Sequence, residues 1–108
     1  MCLFCKIIKG EIPNKTVLED EQFLAFEDIN PQAKIHVLII PKIHVDSFNE
    51  ISSELMKDIT SFIQKVAATL GVKEKGYRLI TNIGQDGGQE VKHIHFHLLA
   101  GEQLGALV

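Results

Sequence analysis

The stretch His93-Ile94-His95-Phe96-His97-Leu98-Leu99 decides the fold of this chain, and it sets three of the five histidines at alternate positions. Successive side chains of an extended strand point to opposite faces of its sheet. The spacing therefore predicts a strand over residues 95–100, with His93, His95 and His97 on one face and Ile94, Phe96 and Leu98 entering a core behind them. Imidazole has an unperturbed pKa of roughly 6.5, so such a row can supply a nucleophile, a proton carrier or a metal ligand near neutral pH. Surface histidines on a solvated strand are the plain alternative, which strict period two argues against. A sharper alternative is a zinc hydrolase in which the row itself holds Zn²⁺ and leaves a position open for water. That reading wants a carboxylate or another histidine nearby, and His36 and His44 are the two that remain.

Ahead of this strand lies Asn82-Ile83-Gly84-Gln85-Asp86-Gly87-Gly88-Gln89. Its glycines permit unusual backbone angles and close backbone approach, which suits either an ordinary turn or an anion cradle. The loop contains no Lys or Arg, so a phosphate held there would rely on backbone and imidazole N–H donors. Further upstream, Leu55, Met56, Ile59, Phe62, Ile63, Val66 and Leu70 recur on one helical face. They predict a helix over residues 53–70, capped by Ser52 or Ser53 and stopped by Gly71. Ile35 to Ile40 reads as a central strand ended by Pro41, which has no amide hydrogen for a ladder. Thr16 to Glu19 and Phe23 to Glu27 form a hairpin about Asp20-Glu21, and Tyr77 to Thr81 adds another strand. Leu3, Phe4, Ile7 and Ile8 make a short N-terminal helix stopped by Gly10-Glu11-Ile12-Pro13. The sum is an α+β fold: about five largely antiparallel strands with one long helix packed on one face.

With 108 residues, 45% of them apolar and 23% charged, the chain suits one domain over residues 1–108. A net charge of -3 provides no basic footprint for a long nucleic acid. Apolar runs such as Val37-Leu38-Ile39-Ile40 are strand-sized, far below the roughly 18 residues of a membrane span. The N-terminus shows no secretory h-region, so a cytoplasmic location is expected. Both cysteines, Cys2 and Cys5, lie three apart near the start. In a reducing compartment they are free thiols or metal ligands rather than a disulfide.

The histidine stretch fits a histidine triad pattern, and the agreement extends over nearly the whole chain. It takes in Phe4-Cys5-Lys6-Ile7-Ile8 with Glu11-Ile12-Pro13, and Ala25-Phe26-Glu27-Asp28-Ile29 with Pro31-Gln32-Ala33. It continues through His36-Val37-Leu38-Ile39-Ile40-Pro41-Lys42 and Asn82 to the Gly87-Gly88-Gln89 loop. In these features the chain resembles the histidine triad nucleotide-binding proteins, in particular their purine nucleoside phosphoramidase branch. The resemblance implies a small α+β homodimer that binds purine nucleotides such as AMP or GMP. It also implies hydrolysis of the bond joining a nucleoside monophosphate to an amine or related leaving group. A nucleotide-binding interaction module with incidental catalysis is the alternative from a different class.

Carried over by position, the resemblance makes His95 the nucleophile that forms a nucleotidyl-histidine intermediate, a role within the chemistry of neutral imidazole. It gives His97 and His36 phosphate contact and proton transfer. Asn82, Gly88, Gln89, Glu90 and Val91 then belong to the phosphate side. Glu90 stands where many relatives carry a small hydroxyl residue. Asp28 is placed on the ribose hydroxyls, although beside a chain break it equally suits a turn. Leu3, Phe4, Ile7, Phe26 and Ile29 surround the base, where ordinary core is the competing reading. For the cysteines, Cys2-x-x-Cys5 is half of a tetrahedral zinc site, and His44 with His93 can supply the other half. Some bacterial histidine triad proteins and the related hexose-1-phosphate uridylyltransferases are similar in giving the first triad histidine to structural Zn²⁺.

Overall fold

The structure is a computed structural model that describes residues 2–107; the end residues 1 and 108 of the predicted domain lie outside the described residues. In chain order the elements are α1 (Leu3–Ile8), β1 (Thr16–Glu19), β2 (Phe23–Glu27), β3 (Ile35–Pro41), α2 (Ser53–Leu70), β4 (Arg78–Ile80) and β5 (Phe96–Ala100). The five strands form one sheet in the order β1-β2-β3-β5-β4, and every neighbouring pair is antiparallel. This is the α+β arrangement expected from the sequence.

Local chemistry sets the element ends. The Asp20 carboxylate accepts from the amides of Gln22 and Phe23, which closes the first hairpin. Ser52 rather than Ser53 caps α2, its hydroxyl accepting from the Leu55 amide at 3.1 Å. Gly71 ends the helix with φ of 70°, a left-handed conformation in which glycine meets no Cβ penalty.

Both faces of the sheet are covered. On one, Phe23, Ala25, Val37, Ile39, Phe96 and Leu98 meet Ile59, Phe62, Ile63 and Val66 of α2. Ile59 is fully buried there, so its truncation to Ala would cost about 2–5 kcal/mol. On the other face, Leu24, Phe26, Leu38 and Ile40 meet Phe4 and Ile7 of α1. The register aligns Phe26, Leu38 and His97 across β2, β3 and β5. His97 thus faces the α1 side, while its neighbours Phe96 and Leu98 face α2.

Three strands differ in extent from the sequence reading. Pro41 is the last residue of β3, paired with Phe23, instead of the first residue beyond it. Its position at the strand end makes the missing amide harmless, and its carbonyl is used by His93. β4 omits Tyr77 and Thr81. Gly76, at φ of 98°, turns the chain just before Tyr77, and Thr81 uses its hydroxyl instead, donating to the His95 carbonyl at 2.8 Å. Regular pairing of β5 starts at Phe96, one residue after His95. The alternation nevertheless extends upstream, because Ile94 joins the α2 core while His93 and His95 both meet Phe4.

Candidate active site and metal centre

A cavity of about 650 Å³ opens on the α1 side of the sheet. Three histidines from three positions in the fold line it: His36 on β3, His95 just before β5, and His97 on β5. Hydrogen bonds set the tautomer of each ring. His95 Nδ1 lies 2.8 Å from the His93 carbonyl. A carbonyl only accepts, so Nδ1 carries the hydrogen and Nε2 keeps its lone pair. The ring is 6% exposed and packs edge-on to Phe4 at 5.0 Å between centroids.

His36 and His97 form a relay. The Gln32 amide donates to His36 Nδ1 at 3.0 Å, which leaves the hydrogen of the neutral ring on Nε2. That nitrogen donates to His97 Nδ1 at 2.9 Å. His97 in turn carries its hydrogen on Nε2. Burial, then the neighbouring His95 and His36, lower the His97 pKa to about 4. Burial also lowers that of His36, against the opposing pull of Asp28. Both rings are therefore neutral donors at pH 7. The Asp28 carboxylate has two uses: one oxygen accepts from the Asn30 amide at 2.8 Å, and the other lies 3.5 Å from His36 Nε2.

The glycine loop is built differently from a simple anion cradle. The amides of Gly84, Gly88 and Gln89 are already spent inside it, on the Gln89 side chain, the Gln85 carbonyl and the Gly84 carbonyl. Closure of the turn competes for the same donors that the sequence reading offered to phosphate. The Gln89 side chain also donates to the carbonyls of Asp46 and Val91, so it fastens the loop and does not line the cavity. Asn82 does line it, and donates one amide hydrogen to the Gly87 carbonyl at 2.8 Å. Its second amide hydrogen remains available to a ligand. Gly87 is required on steric grounds, since a Cβ there would sit 2.2 Å from the Ile83 carbonyl oxygen.

Leu3, Phe4, Ile7, Phe26 and Ile29 all line the cavity, in two different ways. Phe4, Ile7 and Phe26 belong to the hydrophobic cluster against the sheet, as the core reading anticipated. Leu3 and Ile29 are 47% and 97% exposed, and form its open edge. Gly88, Glu90 and Val91 complete the side nearest the loop.

A second cluster adjoins the first through α1 and His93. The Cys2 and Cys5 sulfurs lie 3.3–3.6 Å from Nδ1 of both His44 and His93. A tetrahedral ion with metal–sulfur bonds of about 2.3 Å and metal–nitrogen bonds of about 2.0–2.1 Å sets sulfur–nitrogen edges of about 3.6 Å. The four donors therefore fit a small tetrahedral cation. Their orientation fits too. His93 Nε2 donates to the Pro41 carbonyl at 2.8 Å, and His44 Nε2 donates to the Asp46 carboxylate at 2.8 Å. Each ring thus turns a lone pair on Nδ1 toward the thiols, the outer support that metal-binding histidines need.

A family model described as HIT domain matches residues 9–104. The chain belongs to the HIT domain family. It is 56% identical over 103 residues to an uncharacterized HIT-like protein of Helicobacter pylori, spanning 95% of this chain and 99% of the relative. It is 46% identical over 109 residues to the purine nucleoside phosphoramidase of Escherichia coli, spanning 98% and 92%. The crystal structure of a HIT family hydrolase from Legionella pneumophila superposes with a TM-score of 0.92 at 51% identity, covering 97% of this chain and 96% of that one.

Within this HIT domain the sequence reading named His95, His97, His36, Asn82 and Asp28, which line one cavity, and separately His93, which sits with Cys2, Cys5 and His44. It missed the parts that act through the backbone. The Gln32 amide, the Pro41 carbonyl and the His93 carbonyl fix ring orientation without any side-chain signature. Asp46 was legible in principle, as a carboxylate two residues after His44. Ile12, Pro13, Asn14 and Asn30 also line the cavity, brought there by the turns that follow α1 and β2. Among the described residues no helix is long and apolar enough to cross a membrane.

Proposed function

We propose that residues 1–108 act as one nucleotide hydrolase domain, a purine nucleoside phosphoramidase working through a nucleotidyl-histidine intermediate. The observation that carries this reading is the His95–His93 hydrogen bond, which occupies Nδ1 and leaves Nε2 as the unengaged nitrogen of a ring lining the cavity. In the first step Nε2 attacks phosphorus and the bond from phosphorus to the leaving amine breaks. A proton taken up from solvent once the anionic phosphate is bound passes through His97 to the departing nitrogen. His36, hydrogen-bonded to His97 Nδ1, orients that ring and keeps its own Nε2 hydrogen. In the second step water attacks the phosphoramidate on His95, its proton returns along the same path, and His95 departs unchanged. Asn82 offers an amide hydrogen to the phosphoryl oxygens where negative charge builds. Asp28 accepts from the ribose, and the Leu3, Phe4, Ile7, Phe26 and Ile29 wall holds the purine.

Cys2, Cys5, His44 and His93 would hold Zn²⁺ as a structural ion, supplying a clamp between α1 and the chain leading into β5. The alternative, a metal held by the triad itself, has less support. The His95 and His36 Nδ1 atoms are taken by a carbonyl and by an amide, which leaves His36 Nε2 protonated. The ligand in this reading is AMP, GMP or a phosphoramidate of either, handled in the cytoplasm, with neither long nucleic acid nor membrane as partner. A homodimer would cover β4, whose Leu79 is 43% exposed at the sheet edge.

Replacing His95 with Asn tests the assignment. Turnover of an adenosine phosphoramidate should be abolished while AMP binding persists. Retained turnover would refute the role given to His95.

A further inference from the structure

The cavity wall has an unusual charge balance for a site that takes phosphate. The chain has 11 Lys and Arg residues, yet among the described residues none lines the cavity. Three carboxylates do: Glu27, Asp28 and Glu90. Asp28 is engaged with the Asn30 amide and His36. Glu27 ends β2 on the wall shared with Asp28. Glu90 comes from the loop side instead. It follows the glycine loop directly, between Gly88 and Val91, which also line the cavity, and five residues before His95.

Glu90 is exposed, and among the described residues its carboxylate makes no hydrogen bond or ion pair. It thus sets a carboxylate at the loop side of the cavity, where among the described residues no lining cation answers it. Such a charge discriminates among ligands by sign, attracting a cation and repelling a further anion. A nucleoside monophosphate amidate brings one negative charge of its own. The group best matched to Glu90 is therefore a leaving amine that carries a second, protonated nitrogen.

Resting on the hydrolase reading above, we propose that Glu90 determines leaving-group specificity, and that the substrate class is nucleoside phosphoramidates of diamines or other amines bearing an additional positive charge. Polyphosphorylated nucleotides are correspondingly disfavoured. Glu90 takes no part in bond making. It acts by attracting the far end of the departing amine while His97 protonates the near end.

Three adenosine phosphoramidates of similar size test this: those of diaminopropane, of propylamine and of β-alanine, which end in a cation, a methyl group and a carboxylate. Dissociation constants are measured by calorimetry on the His95→Asn protein, which keeps each ligand intact, and kcat/KM is measured on the unaltered protein. The expected order is diaminopropane, propylamine, β-alanine, with about fivefold between neighbours at low salt and less at high salt. Adding Glu90→Gln should collapse the spread to within about twofold, and Glu90→Lys should reverse the order. Equal affinities before the change, or an order untouched by both substitutions, would overturn the proposal. If the affinities follow charge but no phosphoramidate is turned over, the hydrolase reading fails while the assignment of Glu90 to charge selection stands.

Discussion

Gly87→Ala separates the geometry of the proposed phosphate side from the fold. A Cβ at this position would lie 2.2 Å from the Ile83 carbonyl oxygen and 3.0 Å from the Ile83 nitrogen. Both are backbone atoms, so no side chain can swing away to relieve the clash. Real Cβ contacts essentially never fall under 3.0 Å, so the loop must open by about 0.8 Å, close to the roughly 1 Å displacement that can cost about a hundredfold in rate. The Gly87 carbonyl holds the Asn82 side chain, which reaches the cavity, so the displacement is passed to the phosphate side. The expected loss in kcat/KM toward an adenosine phosphoramidate is about a hundredfold, or about 2.7 kcal/mol. Thermal stability should change little, because the loop is exposed and both hydrophobic clusters lie elsewhere. Gly88→Ala is the internal comparison. Its Cβ would meet only Asn82 Nδ2 at 3.8 Å, and its φ of 81° charges a conformational penalty of about 1–2 kcal/mol without a backbone collision. It should lose less than about tenfold in rate. Equal losses in the two variants, or a Gly87→Ala protein as active as the parent, would refute the claim that this loop positions Asn82.

Two further outcomes follow from the histidines and thiols. Changing Cys2 and Cys5 together to Ser should bring bound zinc, read by elemental analysis, down to background. AMP affinity should fall by about tenfold as α1 loosens and the burial of Phe4, worth about 1.5–3 kcal/mol, is partly lost; unchanged affinity would separate the thiols from the cavity. On acidification, kcat/KM should fall as His97 approaches its pKa of about 4, because the protonated ring no longer accepts from His36. Between about 6.5 and 4 the unfolded chain binds more protons than the folded one at His97. Its contribution to stability is therefore complete above pH 6.5 and lost as pH falls through that window. Denaturant titrations of the parent and of His97→Gln should diverge in slope there; parallel curves would deny the shift.

Much of this site was legible because its chemistry is carried by side chains with a sequence period. Alternation across His93 to Leu98 placed imidazoles on one face and Ile94, Phe96 and Leu98 on the other, and the structure keeps that division even before regular pairing starts. The α2 stripe was equally plain. The loop was not, since glycine permits both a closed turn and an open cradle, and only the competition of Gln85, Gln89 and Gly84 for the same amides decides between them. Nor does sequence reveal that Pro41 offers its carbonyl to His93, a pairing across 52 positions. Backbone acceptors look alike at every residue, so their selection by a ring appears only once β3 and β5 are set side by side.

His93 links the two clusters. Its ring faces the thiols through Nδ1 and anchors on Pro41 through Nε2, while its carbonyl receives the His95 Nδ1 hydrogen. Any force that rotates the His93 ring or shifts its peptide therefore acts on the group that fixes the tautomer of the proposed nucleophile. Phe4 strengthens the link, because it packs edge-on to His93, His95 and Phe26 at once, from a helix that carries Cys5 and is capped by Cys2. A helix of only six residues is marginal by itself. Its position therefore depends on that packing. Metal bound by the thiols and nucleotide bound in the cavity would each hold α1 in place, so binding of either should favour binding of the other. Zinc should then tighten AMP, and AMP should tighten zinc, by the same factor. An AMP affinity that is the same with and without zinc would mean that α1 docking does not couple the two sites.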